Sequence, residues 1–297
     1  MTTTRTDAAR ELWKLFEPIH AVTYFSPEPL AALKQAGYRG FWMGYFAGRA
    51  APLGAVSAQL VQALFHNFAA DHVARALPDA WSFAPPEVAL DARLRGSVAT
   101  LRRVLGERAD APEVARAAEL ASRAAVDAPL EGRALYAANR ALPVPEDPLE
   151  RLWHAATLLR EHRGDGHVAA LTVAGIGGRE AHVLHALATG TPTEVYATAR
   201  QLGSDEWNAI LAGFRARGLV DDDGTLSDEG RDLKASVEQQ TDDLAAPAYG
   251  SLSDEELAEL MGALRPVAAA VVAAGEIPAK SPMGLDLAEL SPARPAR

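Results

Sequence analysis

An internal repeat is the feature that most constrains how this chain can fold. The stretch AALKQAGYRG, starting at position 31, returns 138 residues later as AALTVAGIGG, with six of ten positions identical. Further matches lie on both sides, pairing Trp13 with Trp153 and Ala92-Arg93 with Gly230-Arg231. Matches at both ends in nearly one register indicate a duplication, which predicts two copies of one fold over residues 1–142 and 143–297.

The second copy has the pattern of a helical domain with one short hairpin. The segment DPLERLWHAATLLREH (147–162) has apolar residues at helical spacing after an Asp, and Gly164 and Gly166 then predict a break in the helix. TPTEVYATARQLG and SDEWNAILAGFRARGLV each begin with a capping residue and an acidic first turn. DDDGTLSDEG predicts a tight turn, a short extended piece and the start of another helix. The predicted fold class is mainly α, and the repeat predicts the same fold for the first copy.

Three phrases in the second copy resemble a MarR-type winged helix: Gly218-Leu219-Val220, Leu226–Gly230 and Leu252–Leu257. In that family they end the recognition helix, follow the wing and begin the C-terminal helix. MarR proteins dimerise through their terminal helices, so the resemblance implies that two tandem winged-helix-like domains form a pseudo-dimer within one chain. The counterpart of the wing in the first copy, Trp81–Leu94, contains two prolines and no hairpin signal, which predicts a degraded wing.

The whole chain also resembles a family of actinobacterial helix-turn-helix proteins of about this length. The segments that carry this resemblance are EPIHAVTYFSPE, GYFAGRAAPLG and EHRGDGHVAAL. It implies a helix-turn-helix protein and no particular reaction.

Composition narrows the classes of function. The formal net charge of −10 argues against binding nucleic acid or an anionic membrane through bulk charge. The absence of cysteine excludes disulfides, thiolate metal sites and thiol nucleophiles. No apolar run has the length of a signal peptide core or a membrane span. We therefore expect a cytoplasmic protein with no membrane partner, a monomer or weak homodimer, that carries no cofactor.

DNA binding is one functional hypothesis. Arg215, Arg217 and Arg231 would contact phosphates or bases. The first turn of the recognition helix carries Asp205 and Glu206, however, and the wing is acidic. Helix capping explains the acids of the first turn but not those of the wing. DNA is therefore a possible but disfavoured partner.

A small-molecule ligand is the partner that we favour. Aromatic residues are concentrated in HAVTYF and FWMGYFAGRAAPLG, and the repeat places REHRGDGH opposite the first of these segments. An arginine among aromatics needs an anionic partner if it is buried, either Glu17, Glu28 or the anionic group of a ligand. The predicted ligand is apolar or aromatic with an anionic group. The candidate ligand-binding residues are Tyr24, Phe25, Trp42, Tyr45, Arg49 and Arg163.

An enzyme that uses no cofactor is the third hypothesis. His20 or His167 would act as general acid–base, Asp165 would orient His167, and an arginine would stabilise negative charge. Equivalent segments of two pseudo-symmetric copies should face each other, which is the reason for grouping these residues. Asp165 has a simpler alternative role as a helix cap. A metal site formed by His162, His167, His182 and His185 is not expected, because no established ligand spacing occurs.

Overall fold

The computed structural model describes residues 4–279, 281, 284–285 and 287–290. Within this part of the chain, the first half contains helices α1 (Arg5–Phe25), α2 (Pro27–Gln35), α3 (Gly40–Ala50), α4 (Ala58–Phe65), α5 (Ala70–Ala74), α6 (Ala80–Phe83), α7 (Pro86–Leu105), α8 (Pro112–Asp127) and α9 (Ala134–Arg140). The second half contains α10 (Pro148–Val173), α11 (Gly178–Thr189), α12 (Thr193–Arg200), α13 (Ser204–Ala216), α14 (Asp228–Ala245) and α15 (Asp254–Ala273). Short 3₁₀ turns lie at Ala51–Leu53, Gly106–Asp110, Ala246–Tyr249 and Leu287–Leu290. The prediction of a mainly helical protein is confirmed.

Local sequence signals explain where several helices begin. Thr4 caps α1 through a capping box with Asp7, and Ser253 caps α15 in the same way with Glu256. The carboxylate of Asp147 accepts hydrogen bonds from the first backbone amides of α10, and a proline occupies the first turn of that helix. Side-chain caps satisfy amides that have no partner within the helix, and proline at the first position loses no hydrogen bond.

The predicted break at Gly164 and Gly166 is wrong, because α10 runs without interruption from Pro148 to Val173. Glycine disfavours a helix interior by about 1 kcal/mol relative to alanine, and tertiary packing overrides a preference of that size. At Gly166 a Cβ atom would lie 2.8 Å from Nη1 of Arg133 and 3.2 Å from the side chain of Leu244. This glycine therefore permits close packing rather than ending the helix.

The helices of the second half have counterparts in the first half in the same order and at nearly one offset, and the first half has the additional short helices α6 and α9. Gly40 and Gly178, which are 138 positions apart, each begin a helix. Helices α1 and α2 together correspond to the single helix α10, and the chain changes direction in the first half at Ser26, the residue before Pro27. A residue before proline is disfavoured in the helical conformation, and Ser26 accordingly has extended backbone angles. One proline thus splits the long helix of the second half into two in the first.

Packing between the halves is reciprocal. Helix α1 packs against α15, α10 packs against α8, and α1 and α10 pack against each other. A central hydrophobic core joins residues of these helices, and each half has a smaller core of its own. We call the helices around these smaller cores the first head (α3–α6) and the second head (α11–α13).

The second head contains a helix-turn-helix. Helices α12 and α13 are joined by the three residues Gln201 to Gly203, and Gln201 has a positive φ of 54°. After α13 a single antiparallel bridge pairs Val220 with Leu226, which is the only β pairing among the described residues. In the first half the segment Trp81–Leu94 belongs mostly to α6 and α7.

Candidate functional site

A buried group of charged side chains lies where the first head meets the central core. Nε and Nη2 of Arg49 donate to the two carboxylate oxygens of Glu161 at 3.1 and 3.0 Å. Arg160 also donates to Glu161, at 2.8 Å, and lies 3.5 Å from Glu17. Burial alone would raise the pKa of the Glu161 carboxyl, but Arg160 and Arg49 hold it well below its usual range. Glu161 is therefore a permanent anion shared by two guanidinium groups.

The predicted partners of Arg49, Glu17 and Glu28, were wrong. Glu28 lies on α2 and pairs with Arg103 and Thr100, and Glu17 pairs with Arg160. Glu161 lies 112 positions from Arg49 in sequence, on the facing side of α10. The guanidinium of Arg49 also lies 4.1 Å above the ring of Phe65. Arg49 thus holds the first head against the helix of the second half.

Arg93, on α7, differs from these arginines because no carboxylate of the described residues pairs with it. Its side chain is buried, with a residue exposure of 5%. Nη1 donates to the carbonyl of Gly48 at 3.1 Å and Nη2 to the side-chain oxygen of Asn139 at 2.8 Å. Burial lowers the pKa of Arg93 to about 10, although Tyr24 and Glu161 oppose that shift. Arg93 is thus a buried cation with neutral acceptors.

His20 and Tyr24 form a short hydrogen-bonded chain beside Arg93. Thr157 donates its hydroxyl to the carbonyl of Trp153, so the same oxygen accepts from Nδ1 of His20 at 2.9 Å. Nε2 of His20 then accepts the hydroxyl of Tyr24 at 3.0 Å. Burial, with Arg160 adding to it, lowers the pKa of His20 well below its usual value. The imidazole is therefore neutral, and both of its nitrogens are occupied.

A cleft lies between these polar groups and the inner face of α3. The space inside it that admits a water-sized sphere is only about 10 Å³. Phe41 lies in its wall and is 42% exposed. The cleft is lined by His20, Thr23, Tyr24, Leu30, Leu33, Phe41, Gly44, Tyr45, Gly48, Arg49, Arg93 and Trp153. In this conformation there is room for about one water molecule.

Of the predicted ligand-binding residues, Tyr24, Tyr45 and Arg49 line the cleft and the others do not. Trp42 points to the other side of α3, where its ring lies 4.4 Å from that of His72 and 6.0 Å from that of Phe68. Phe25 packs at the edge of the central core. Arg163 lies 2.6 Å from Asp242 and 4.8 Å from the ring of Trp13.

The grouping proposed for an enzyme is not brought together. His20 lies at the cleft, but Asp165 accepts the backbone amide of Tyr136 at 2.9 Å, and burial raises the pKa of that carboxyl to about 6. His167 lies on another face of α10, with Nδ1 2.9 Å from the hydroxyl of Thr241. Two residues apart on a helix are about 200° apart around its axis, so Asp165 cannot orient His167. The expected contact between them was wrong.

The residues predicted to bind DNA lie in the second half, Arg215 on α13, Arg217 directly after it and Arg231 on α14. Arg215, near the end of α13, is exposed. Arg217 pairs with Glu180 at 3.3 Å, and Arg231 pairs with Asp228 at 2.6 Å. At the other end of α13, Glu206 is bound by Arg179. Two of the three predicted cations therefore already have protein carboxylates.

A family model places this architecture among known proteins. The model of the Helix-turn-helix family matches residues 9–278, which cover both heads and the helices between them. The chain belongs to the Helix-turn-helix family. No curated protein and no solved structure matches it. Family membership confirms the prediction of a helix-turn-helix protein. The matched residues include those of the cleft as well as α12 and α13.

Several residues of the site in this family member were missed from the sequence. Trp153, Thr157 and Glu161 lie on one face of α10 at a spacing of four residues, within the predicted helix, but no local signal indicated that this face meets the first half. The sequence indicates Arg93 only as a match to Arg231 in the repeat, and nothing in it predicts a place for Arg93 in the cleft.

The described residues also bear on metal binding and on membrane insertion. No three His, Cys, Asp or Glu side chains are grouped there in a way that could hold a metal ion. None of the described helices combines the length and apolar character needed to cross a lipid bilayer.

Proposed function

We propose that this protein binds a small molecule on a helix-turn-helix scaffold. The ligand is apolar or aromatic, carries an anionic group and occupies the cleft beneath α3. The observation that carries the proposal is Arg93, a buried guanidinium at an aromatic-lined cleft with no carboxylate partner among the described residues.

Charge bookkeeping around the cleft supports an anionic ligand. Arg49 and Arg160 have Glu161 and Glu17 as partners, so those four charges balance. Arg93 adds one positive charge. Burying a cation without an opposite charge is costly, and a carboxylate or phosphate that reached it would form a charge-assisted hydrogen bond. The guanidinium has five N–H groups, and two of them donate to Gly48 and Asn139, which leaves donors for the ligand.

The aromatic wall supports an apolar body for the ligand. Tyr24 and Tyr45 lie with ring centroids 4.9 Å apart, and Trp153 and Phe41 also line the cleft. Aromatic side chains offer a large area for a flat ring. A ring does not fit the present free space, so binding requires α3 to move outward. Phe41, which is partly exposed, is the side chain with most freedom to open the cleft.

We also propose that the two halves are MarR-like winged-helix copies that form an intrachain pseudo-dimer, with the boundary near residue 142. The reciprocal packing of α1 with α15 and of α10 with α8 supports this, because a twofold relation makes each contact occur twice. The single bridge between Val220 and Leu226 occupies the place of a wing.

The test is binding of a series of aromatic carboxylates, from benzoate to 1-naphthoate, measured by thermal shift and calorimetry. A true ligand at about 100 times its Kd should stabilise the protein by about 2.7 kcal/mol. Arg93→Gln should abolish that stabilisation. Arg95→Ala is the matched control, because Arg95 lies on the same helix with a side chain 69% exposed. Binding that survives Arg93→Gln, or no binding across a broad library of organic anions, would contradict the proposal.

A DNA-binding regulator is the second candidate, and membership of the Helix-turn-helix family favours it. Against it stand the carboxylates of the wing, Asp221, Asp222 and Asp223, which are exposed. They would face phosphates, and the pairing of Arg217 and Arg231 leaves little positive charge to offset them. We rank it below ligand binding.

A further inference from the structure

The loop between α4 and α5, residues 66–69, touches both the cleft wall and the second head. On the second-head side, Nε2 of His182 donates to the backbone carbonyl of Asn67 at 2.9 Å. The guanidinium of Arg200, at the end of α12, lies 4.5 Å above the ring of Phe68. The first head thus docks on α11 and α12 through this loop, and Nη2 of Arg75 adds a hydrogen bond to the side-chain oxygen of Gln201.

The same loop lies behind the helix that forms the cleft wall. The ring of Phe68 lies 5.6 Å from that of Tyr45 and 5.0 Å from that of Phe46, both on α3. Phe65, the last residue before the loop, stacks under Arg49. An outward movement of α3 would therefore press directly on residues 65–68.

The start of α11 and the 66–69 loop are packed too closely to accommodate such a movement. A Cβ atom on Gly178 would lie 1.9 Å from the carbonyl oxygen of His66 and 2.9 Å from Cα of Asn67. The backbone at the start of α11 is therefore in direct contact with the backbone of the loop. Close-packed interfaces respond to displacement by separating or shifting as units rather than by deforming continuously.

We propose that ligand entry into the cleft loosens the docking of the second head on the 66–69 loop. This inference rests on the proposed function, because it takes the cleft as the binding site. A ligand ring wedges α3 outward, α3 pushes Phe65 and Phe68, and the loop pushes the start of α11. The helix-turn-helix of the second head is then the part of the molecule whose position responds to the ligand.

Linkage gives the sign of the reverse effect. If the ligand weakens head docking by some factor, then loss of docking raises the affinity for the ligand by the same factor, and a mutation that weakens docking should tighten ligand binding by up to that factor. The effect of opening the cleft on docking and the effect of docking on ligand affinity can both be measured. The first measurement needs no ligand, because a bulky side chain can open the cleft.

The first experiment replaces the ligand with a side chain. Gly44 faces Leu33 across the cleft, and a Cβ there would lie 3.4 Å from Cβ of Leu33, so alanine fits with little adjustment and phenylalanine does not. Gly44→Phe should therefore act as a permanent wedge and Gly44→Ala as its matched control. Hydrogen–deuterium exchange of residues 178–189 should be roughly tenfold faster in Gly44→Phe than in the control, within the usual range of allosteric coupling.

Circular dichroism must first establish that the wedge variant is folded, and Gly48→Leu serves as a second wedge if Gly44→Phe is not. Exchange in α15, which does not belong to either head, should stay unchanged in both variants. Equal exchange of residues 178–189 in a folded wedge variant and in Gly44→Ala would overturn the coupling.

The second experiment uses 1-naphthoate as the probe and His182→Ala to weaken docking. The variant should bind 1-naphthoate about fivefold more tightly than the unmodified protein, the lower end of typical coupling factors. Unchanged affinity would contradict the coupling while leaving ligand binding intact. If 1-naphthoate and the other aromatic carboxylates do not bind the unmodified protein, the proposed function fails, and the wedge experiment still decides whether the heads are coupled.

Discussion

Helices α3 and α11 occupy equivalent places in the two halves, yet they serve different ends. At an offset of 138, Gly44 corresponds to His182, Tyr45 to Val183, Gly48 to Ala186 and Arg49 to Leu187. In the first half the two glycines leave a cleft, and Arg49 reaches the buried carboxylate of Glu161. In the second half larger side chains pack in the same places. The same helix has thus become a cleft wall in one half and a docking surface in the other.

The two halves also differ in how deeply their ion pairs are buried. Under the first head the ion pairs of Glu161 with Arg49 and Arg160 are buried, whereas the ion pairs of the second head are partly exposed, for example Arg179 with Glu206. The second half also has a buried pair outside its head, Arg163 with Asp242. A buried pair becomes costly when one member is removed, while a surface pair contributes little. Mutations at matched positions should therefore have unequal effects.

The largest effect should come from Glu161→Ala. It leaves Arg49 and Arg160 buried with Glu17 as their remaining carboxylate, so the free energy of unfolding should fall by about 3–5 kcal/mol. Glu206→Ala, in the second head, should cost less than about 1 kcal/mol, because its side chain is 43% exposed. Urea denaturation at pH 7 measures both. Equal losses would break the comparison between the two halves.

Acid should weaken the second head through His182. Burial, with Arg200 adding to it, lowers the pKa of His182 to about 3, against an ordinary value of about 6.5. The unfolded chain therefore binds a proton more readily than the folded one, and stability falls as pH drops below about 6.5. Between pH 7 and pH 5 this one residue should cost about 2 kcal/mol.

The variant His182→Gln isolates that contribution, because an amide N–H can still donate to the carbonyl of Asn67. The charged and titratable groups around His182 are Arg200, Arg179 and His185, and they remain in the variant. The unmodified protein should lose about 2 kcal/mol more than His182→Gln over the same pH range. Parallel pH curves for the two proteins would exclude His182 as the group responsible.

Exchanging glycine and alanine between the equivalent positions 48 and 186 should change stability by a smaller amount. A Cβ on Gly48 would meet the methyl groups of Leu33 at 3.6 Å, an ordinary contact, so Gly48→Ala should stabilise α3 by roughly 0.5–1 kcal/mol. Ala186→Gly should destabilise α11 by about the same amount or more. If Gly48→Ala is stabilising and also weakens ligand binding, that glycine is retained for the cleft rather than for the fold.

Most of the fold could be predicted from helix signals in the sequence. Most of the site could not, because long-range contacts form it. The helix signals predicted a mainly helical protein, and Asp147 marked the start of α10. The partner of Arg49 could not be predicted, because Glu161 lies 112 positions away and no local pattern connects the two. Reading residues 163–167 as a turn selected Arg163, Asp165 and His167. Trp153, Thr157 and Glu161 lie within the predicted helix, but their contacts with the first half are long-range and no local pattern indicates them.

The smallest effect on stability should come from Arg215→Ala, and it tests the DNA-binding candidate. Arg215 is exposed near the end of α13, so its removal should change the free energy of unfolding by less than about 0.5 kcal/mol. If the second head binds DNA through this cation, log Kd should depend on log salt concentration, and Arg215→Ala should reduce that slope by about one. Arg95→Ala, on α7 of the first half, is the matched control, because its exposed guanidinium lies outside both heads. We expect weak binding with equal slopes for all three proteins, because the wing carries exposed carboxylates. A steep slope that Arg215→Ala alone reduces would instead identify α13 as a working recognition helix and place DNA binding above ligand binding for the second head.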